Sequence, residues 1–134
     1  MAKAKRVTYF KARVEDKPGA LLALAKDLSS KKLGLVGLKG IGQTTQGEVI
    51  VLAKSPDKLR NAWKASGTLV EEGTAFLVTG TDKTGALVPI LEKLAGVSVN
   101  VAAIEAVAVS GRFATVLWVN PADVDKTAQA LGAK

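Results

Sequence analysis

Residues 15–21 read EDKPGAL and residues 81–87 read TDKTGAL. The phrase Asp-Lys-x-Gly-Ala-Leu thus occurs twice, 66 positions apart, in a chain of 134 residues. A shift of almost half the length points to two copies of one structural unit. Laying residues 7–38 over residues 73–104 without gaps carries the match past the phrase. Identities fall at Thr8/Thr74, Phe10/Phe76, Asp16/Asp82, Lys17/Lys83, Gly19/Gly85, Ala20/Ala86, Leu21/Leu87 and Leu28/Leu94. Apolar residues coincide at Leu24/Ile90, Leu33/Val99, Leu35/Val101 and Leu38/Ile104.

Both copies read the same way outward from the phrase. A strand precedes it, at 7–14 and 75–80. Apolar residues at helical spacing follow it: Leu21, Leu24 and Leu28, then Leu87, Ile90, Leu91 and Leu94. Asp16 can cap the first helix, with Pro18 in its first turn. Thr84 is the natural cap of the second, and Pro89 a turn further on should loosen its start. Next come strands at 33–41 and 97–109, turns at Gly47 and Gly111, and strands at 48–54 and 113–119. SPDKLRNAWKAS (55–66) and NPADVDKTAQAL (120–131) open as helices do, with a polar residue before Pro. GTLVEEG (67–73) supplies a short fourth strand to the first copy. The second copy ends after its second helix and lacks that strand. Its sheet edge must be covered by the other repeat or another subunit.

The fold class is therefore α+β: two ferredoxin-like (βαββαβ) repeats, at 1–72 and 73–134, the second lacking its last strand. With 48% hydrophobic residues the chain can build a core, and with 4% aromatics that core is expected from Leu, Val, Ile and Ala. Cys and His are both absent, which excludes disulfides, Cys and His nucleophiles and the commonest metal ligands. No apolar stretch is long enough to span a membrane, and the opening residues carry no apolar signal run, so the expected compartment is the cytoplasm. Charge is uneven: residues 1–67 hold 14 Lys/Arg against 5 Asp/Glu, and residues 68–134 hold 5 against 7. The lysines are dispersed, so this reads as a solvated surface plus a basic tail at Lys3, Lys5 and Arg6.

VEDKPGALLALAKDL (14–28) and GTDKTGALVPILEKL (80–94) resemble the first loop and helix of ACT domains, in tandem. GVSVNVAAI (96–104) is similar to the family's second strand, with Asn100 before it; the first copy has Gly34 in that place. The resemblance implies a stand-alone, non-catalytic regulatory protein that binds a small effector, most often an amino acid, where a loop faces the second strand of a partner unit. It implies a ligand site at Asp16, Lys17, Pro18, Gly19, Ala20 and Leu21, at Asp82, Lys83, Thr84, Gly85, Ala86 and Leu87, and at Asn100. It also implies association into a homodimer and an enzyme as regulated target. No catalytic residue, metal or cofactor is expected.

The residue types suit that chemistry. A helix N-terminus attracts a carboxylate, and an Asp accepts hydrogen bonds from an ammonium. The same phrase also serves as a plain cap and turn, so both roles stay open here. A protein-interaction module without a ligand is one alternative. An RNA-binding ferredoxin-like protein is another, because SGRFATVLWV (110–119) has aromatics as base-stacking strands do. Phe113 and Trp118 are five apart, however, and a regular strand turns them to opposite faces. Asp123/Asp125 and Glu71/Glu72 read as solvated acids, not as a catalytic pair. GLKGIGQTTQG (37–47) lacks the Gly-Lys-Ser/Thr of a phosphate loop and reads as a bend ending the second strand.

Overall fold

The computed structural model of the chain describes residues 2–43 and 46–134. The chain divides into two compact units. One is Thr8–Gly73; the other joins the N-terminal residues through Val7 to Thr74–Lys134.

The first unit contains strand β1 from Thr8 on (β1 is Lys3–Glu15 in full), helix α1 (Ala20–Ser30), β2 (Leu35–Gln43), β3 (Gln46–Ala53) and helix α2 (Pro56–Ser66). The first residues of β4 (Glu71–Thr81 in full) complete it. The strands lie in the order β2-β3-β1-β4, with β1–β3 and β2–β3 antiparallel. This is the split ferredoxin-like plan that the repeat predicts. Its core joins Phe10 and Ala12 of β1 and Val49 and Val51 of β3 to Leu24 and Leu28 of α1 and Leu59 and Trp63 of α2. The alternation along β1 and β3 turns every second residue toward the helices.

The second unit contains β4 from Thr74 on, helix α3 (Val88–Gly96), β5 (Val101–Val109), β6 (Arg112–Val119), a single 3-10 turn (Pro121–Asp123) and helix α4 (Val124–Leu131). Its strands lie in the order β5-β6-β4-β1. Phe76, Val78, Ile90, Leu94, Phe113 and Leu117 are at its core. The strand missing from its sequence is made by the start of β1. Ala4 packs on this core, the Arg6 N–H donates to the Lys134 carbonyl at 3.2 Å, and the Arg6 guanidinium meets Asp125 at 3.2 Å. Lys3, Lys5 and Arg6 are therefore strand residues and not a tail.

Several expectations change. The few aromatics are concentrated inside: Phe10, Trp63 and Phe76 have no exposed surface and Phe113 only 7%. The fourth strand of the first copy does not stop at Gly73 but runs on as β4 into the second. Glu71 and Glu72 are partnered strand residues: Tyr9 and Lys11 meet Glu71, and Arg60 forms a two-pronged contact with Glu72 at 2.8 and 2.9 Å. Gly37, Gly40 and Gly42 lie within β2, so that stretch is no bend. Its Thr44 and Thr45 fall outside the described residues. Phe113 is in the core while Trp118, five residues further along β6, is half-buried, which gives no aromatic platform.

Candidate functional site

Each repeated phrase bends where its glycine sits. Gly19 has φ +86° and Gly85 φ +79°, a left-handed conformation that costs other residues their Cβ clearance. In the first copy Gly19 itself is the N-cap of α1 and no side chain caps the helix. Asp16 is three residues too early, and Pro18 is in the turn before the helix. In the second copy residues 84–87 form turns, and α3 begins only at Val88, with Pro89 in its first turn. Thr84 caps nothing, and Leu87 is the N-cap rather than a helix residue. The Ala20 and Ala86 N–H groups donate to the Lys17 and Lys83 carbonyls at 3.3 and 3.0 Å, so both loops close on themselves alike.

Each loop borders a hollow in its own unit. In the first, about 220 Å³ is enclosed by Asp16, Lys17, Ala20 and Leu21 against Gly40, Ile41 and Gly42 of β2. In the second, about 330 Å³ is enclosed by Asp82, Lys83, Ala86 and Leu87 against Ala106, Val107 and Ala108 of β5. Add 66 to each residue of the first set and the second set results. The repeat thus reproduces a concave surface and not only a phrase. The strand residues at 40–42 and 106–108 escape notice in the sequence, because none is polar and the match by identity ends before them.

The remaining walls differ. Val14 faces Gly47 across β1 and β3 in the first hollow. The equivalent pair across β4 and β6 is Gly80 and Phe113, and Phe113 walls the second hollow. Glu15, Asp16 and Glu48 bring three carboxylates to the first hollow, against Lys17. The Lys17 ammonium is 2.8 Å from the Glu15 carboxylate. This contact holds Glu15 below the usual carboxylate range and raises Lys17. Both carboxylate oxygens of Asp16 lie 3.0 Å from the point a Cβ on Gly42 would occupy. Ala108 carries a methyl in the corresponding place. There the loop is tied down through its backbone instead, the Asp82 N–H donating to the Gly111 carbonyl at 2.9 Å.

Asn100 is not brought to either hollow. It is exposed and precedes β5, while Val107 lies roughly 20 Å along that strand at about 3.3 Å per residue. Pro18, Gly19 and Thr84 do not line the hollows either; Gly85 lines the second. Among the described residues no cluster of three potential metal ligands occurs, and no helix is long and apolar enough to cross a membrane.

No protein-family model matches the chain, and no curated protein does. Solved structures do. A protein of Bacteroides thetaiotaomicron superposes with a TM-score of 0.83 at 21% identity, over 96% of this chain and 88% of that one. The ligand-free regulatory subunit of aspartate kinase from Thermus thermophilus gives 0.64 at 13% identity, over 98% and 95%. Aspartokinase III of E. coli, solved with aspartate and ADP, gives 0.59 at 15% identity, and there 97% of this chain covers 32% of the enzyme. By fold, the chain is an α+β protein of two tandem ferredoxin-like units, built as the regulatory subunits of aspartate kinase are built, in agreement with the tandem ACT resemblance of its sequence.

Proposed function

We propose that the chain is a non-catalytic ACT-type regulatory module, with repeats at 1–72 and 73–134, that binds an amino acid at its loop hollows. The observation that carries this reading is the coincidence of the two hollows under the 66-residue shift. The strand residues opposite the loops are equivalent in position and small or apolar in both copies, Gly40, Ile41 and Gly42 against Ala106, Val107 and Ala108. Each hollow carries on its rim the aspartate of the repeated phrase, a carboxylate able to accept from an ammonium. Filling it links loop to strand, so the ligand stabilises the folded unit. The regulated partner on this reading is an enzyme, and a second copy of the chain completes the assembly.

Thermal unfolding against a panel of the free amino acids in physiological salt tests the proposal. A ligand at 100 times its Kd adds about 2.7 kcal/mol to the folded state. That raises Tm by roughly 10 °C for a chain of this size. A flat panel with a normal unfolding transition overturns the reading.

A further inference from the structure

The two hollows share a plan but not a chemistry, and on the amino-acid reading just given the difference assigns their ligands. We propose that the second loop alone is the amino-acid site, and that it takes a neutral aliphatic amino acid.

The rim of the second hollow carries one acid and one base, Asp82 and Lys83. Among the described residues neither side chain has a hydrogen-bond or ion-pair partner, and they do not pair with each other. An unpaired carboxylate beside an unpaired ammonium complements the two ends of a zwitterion. The first hollow withholds half of that pair. Its Lys17 is held by Glu15 and its Glu48 is paired with Lys11 at 3.5 Å, so the charge left over on its rim is the carboxylate of Asp16, which repels an incoming carboxylate. The second copy has Thr81 where the first has Glu15, so nothing holds Lys83 in the same way.

The floors differ in the same sense. Below the second rim lie Leu87, Ala106, Val107, Ala108 and the ring of Phe113, without a charge among them. Val107 leaves 61% of its surface exposed, so an alkyl group laid against it and Phe113 gains by leaving water, whereas an ionised side chain finds no charged partner on this wall. The second hollow is also the roomier, at about 330 Å³ against about 220 Å³.

Calorimetric titration of the full chain with L-leucine, L-valine, L-isoleucine, L-lysine and L-aspartate tests the assignment. An aliphatic member should bind at one equivalent per chain, at least tenfold tighter than lysine or aspartate. Lys83→Met, and Ala106→Leu on the floor, should each weaken it at least tenfold, and Lys17→Met should leave it unchanged. Circular dichroism checks that each variant is folded. Tightest binding by lysine or aspartate, two equal equivalents, or loss with Lys17→Met but not Lys83→Met overturns the assignment while the amino-acid reading stands. No binding of any amino acid by folded protein overturns both.

Discussion

Val14 and Gly47 face each other in the first unit, large against small; Gly80 and Phe113 face each other in the second, small against large. Both pairs occupy the same rung of the repeat, and both fill it. An added Cβ on Gly47 would sit 3.2 Å from a Val14 methyl, and one on Gly80 would sit 2.7 Å from the Phe113 ring. What the two units share at this rung is a filled volume, not a residue. Close packing sets that requirement, since a void or an overlap both cost stability. The exchange also moves the large side chain to the other strand, and so it gives the second hollow an aromatic wall that the first lacks.

The helices differ more strongly than the strands. Trp63 of α2 has no exposed surface and stands edge-on to Phe10, with ring centroids 6.5 Å apart. The matching position in α4 is Ala128, also buried. Trp63→Ala should cost about 3–5 kcal/mol in denaturant unfolding, the largest single effect anticipated here. Ala128→Gly should cost about 1 kcal/mol, mostly as lost helix propensity. Trp63→Phe should be milder than Trp63→Ala, because the buried indole N–H of Trp63 has no acceptor among the described residues. Equal losses from Trp63→Ala and Ala128→Gly would show that the two cores are not organised around different anchors.

The exchanged rung gives the next largest effect. Gly80→Val drives a side chain into the Phe113 ring and toward the Ala2 Cα, 3.3 Å from the new Cβ, and should cost about 1–3 kcal/mol. Adding Phe113→Gly restores the first unit's pattern, so the two changes should couple favourably by about 0.5–3 kcal/mol in a double-mutant cycle. Gly47→Ala should cost less than Gly80→Ala, because its new Cβ would come no nearer than 3.2 Å to Val14, whereas that of Gly80 would sit 2.7 Å from the Phe113 ring. Strict additivity of Gly80→Val and Phe113→Gly would break the idea that volume is traded across the rung.

How much of this was legible in the sequence follows from the kind of signal involved. Strands and helices announced themselves through period and through the repeated phrase, so element order and type were readable. The missing strand was not, because it is made by residues before the first match. Lys3-Ala4-Lys5 alternates as a strand should, but its inward residue is only alanine, too weak a signal beside two lysines. The caps misled because a left-handed glycine ends the loop by backbone geometry, which no side-chain rule detects. At the hollows the polar half, Asp and Lys, was visible as a motif. The apolar half, 40–42 and 106–108, was invisible, since alanine and glycine on a strand look like any core-facing residues. Asn100 drew attention for its chemistry and sits at the wrong end of β5.

Tyr9 sharpens the comparison spectroscopically. It is the only tyrosine, and Ala75 takes its place in the second unit, so tyrosinate absorbance reports the first unit alone. Partial burial, then the hydrogen bond to Glu71 at 2.8 Å and the charge of that carboxylate, push its pKa up to about 12. A group whose folded pKa is raised contributes stability that is complete below its unfolded value near 10 and disappears as pH rises through about 12. The absorbance midpoint of the native protein should therefore lie near 12, and Glu71→Gln should lower it. Between those limits, Tyr9→Phe should lose less stability than the wild type. A native midpoint near 10 would remove the Tyr9–Glu71 contact from the account of the first unit.

The smallest effect on the fold should come from the residue that most separates the two rims. Glu15→Thr copies Thr81 of the second unit into the first. Glu15 and Lys17 are both exposed, and solvent screens such pairs, so the unfolding midpoint at neutral pH should not move measurably. The protonation behaviour should move: the Lys17 amine, raised by Glu15, should titrate closer to an ordinary lysine, as observed by NMR. The acid side has its own sign. Glu15 is held low, so its contribution is present above the ordinary carboxylate range and fades as pH falls through its lowered value; the variant should lack that fading. A large fall in stability at neutral pH would make the pair a structural strut. An unchanged midpoint with a released Lys17 would leave it a pair that decides which ligand approaches, at no cost to the unit that carries it.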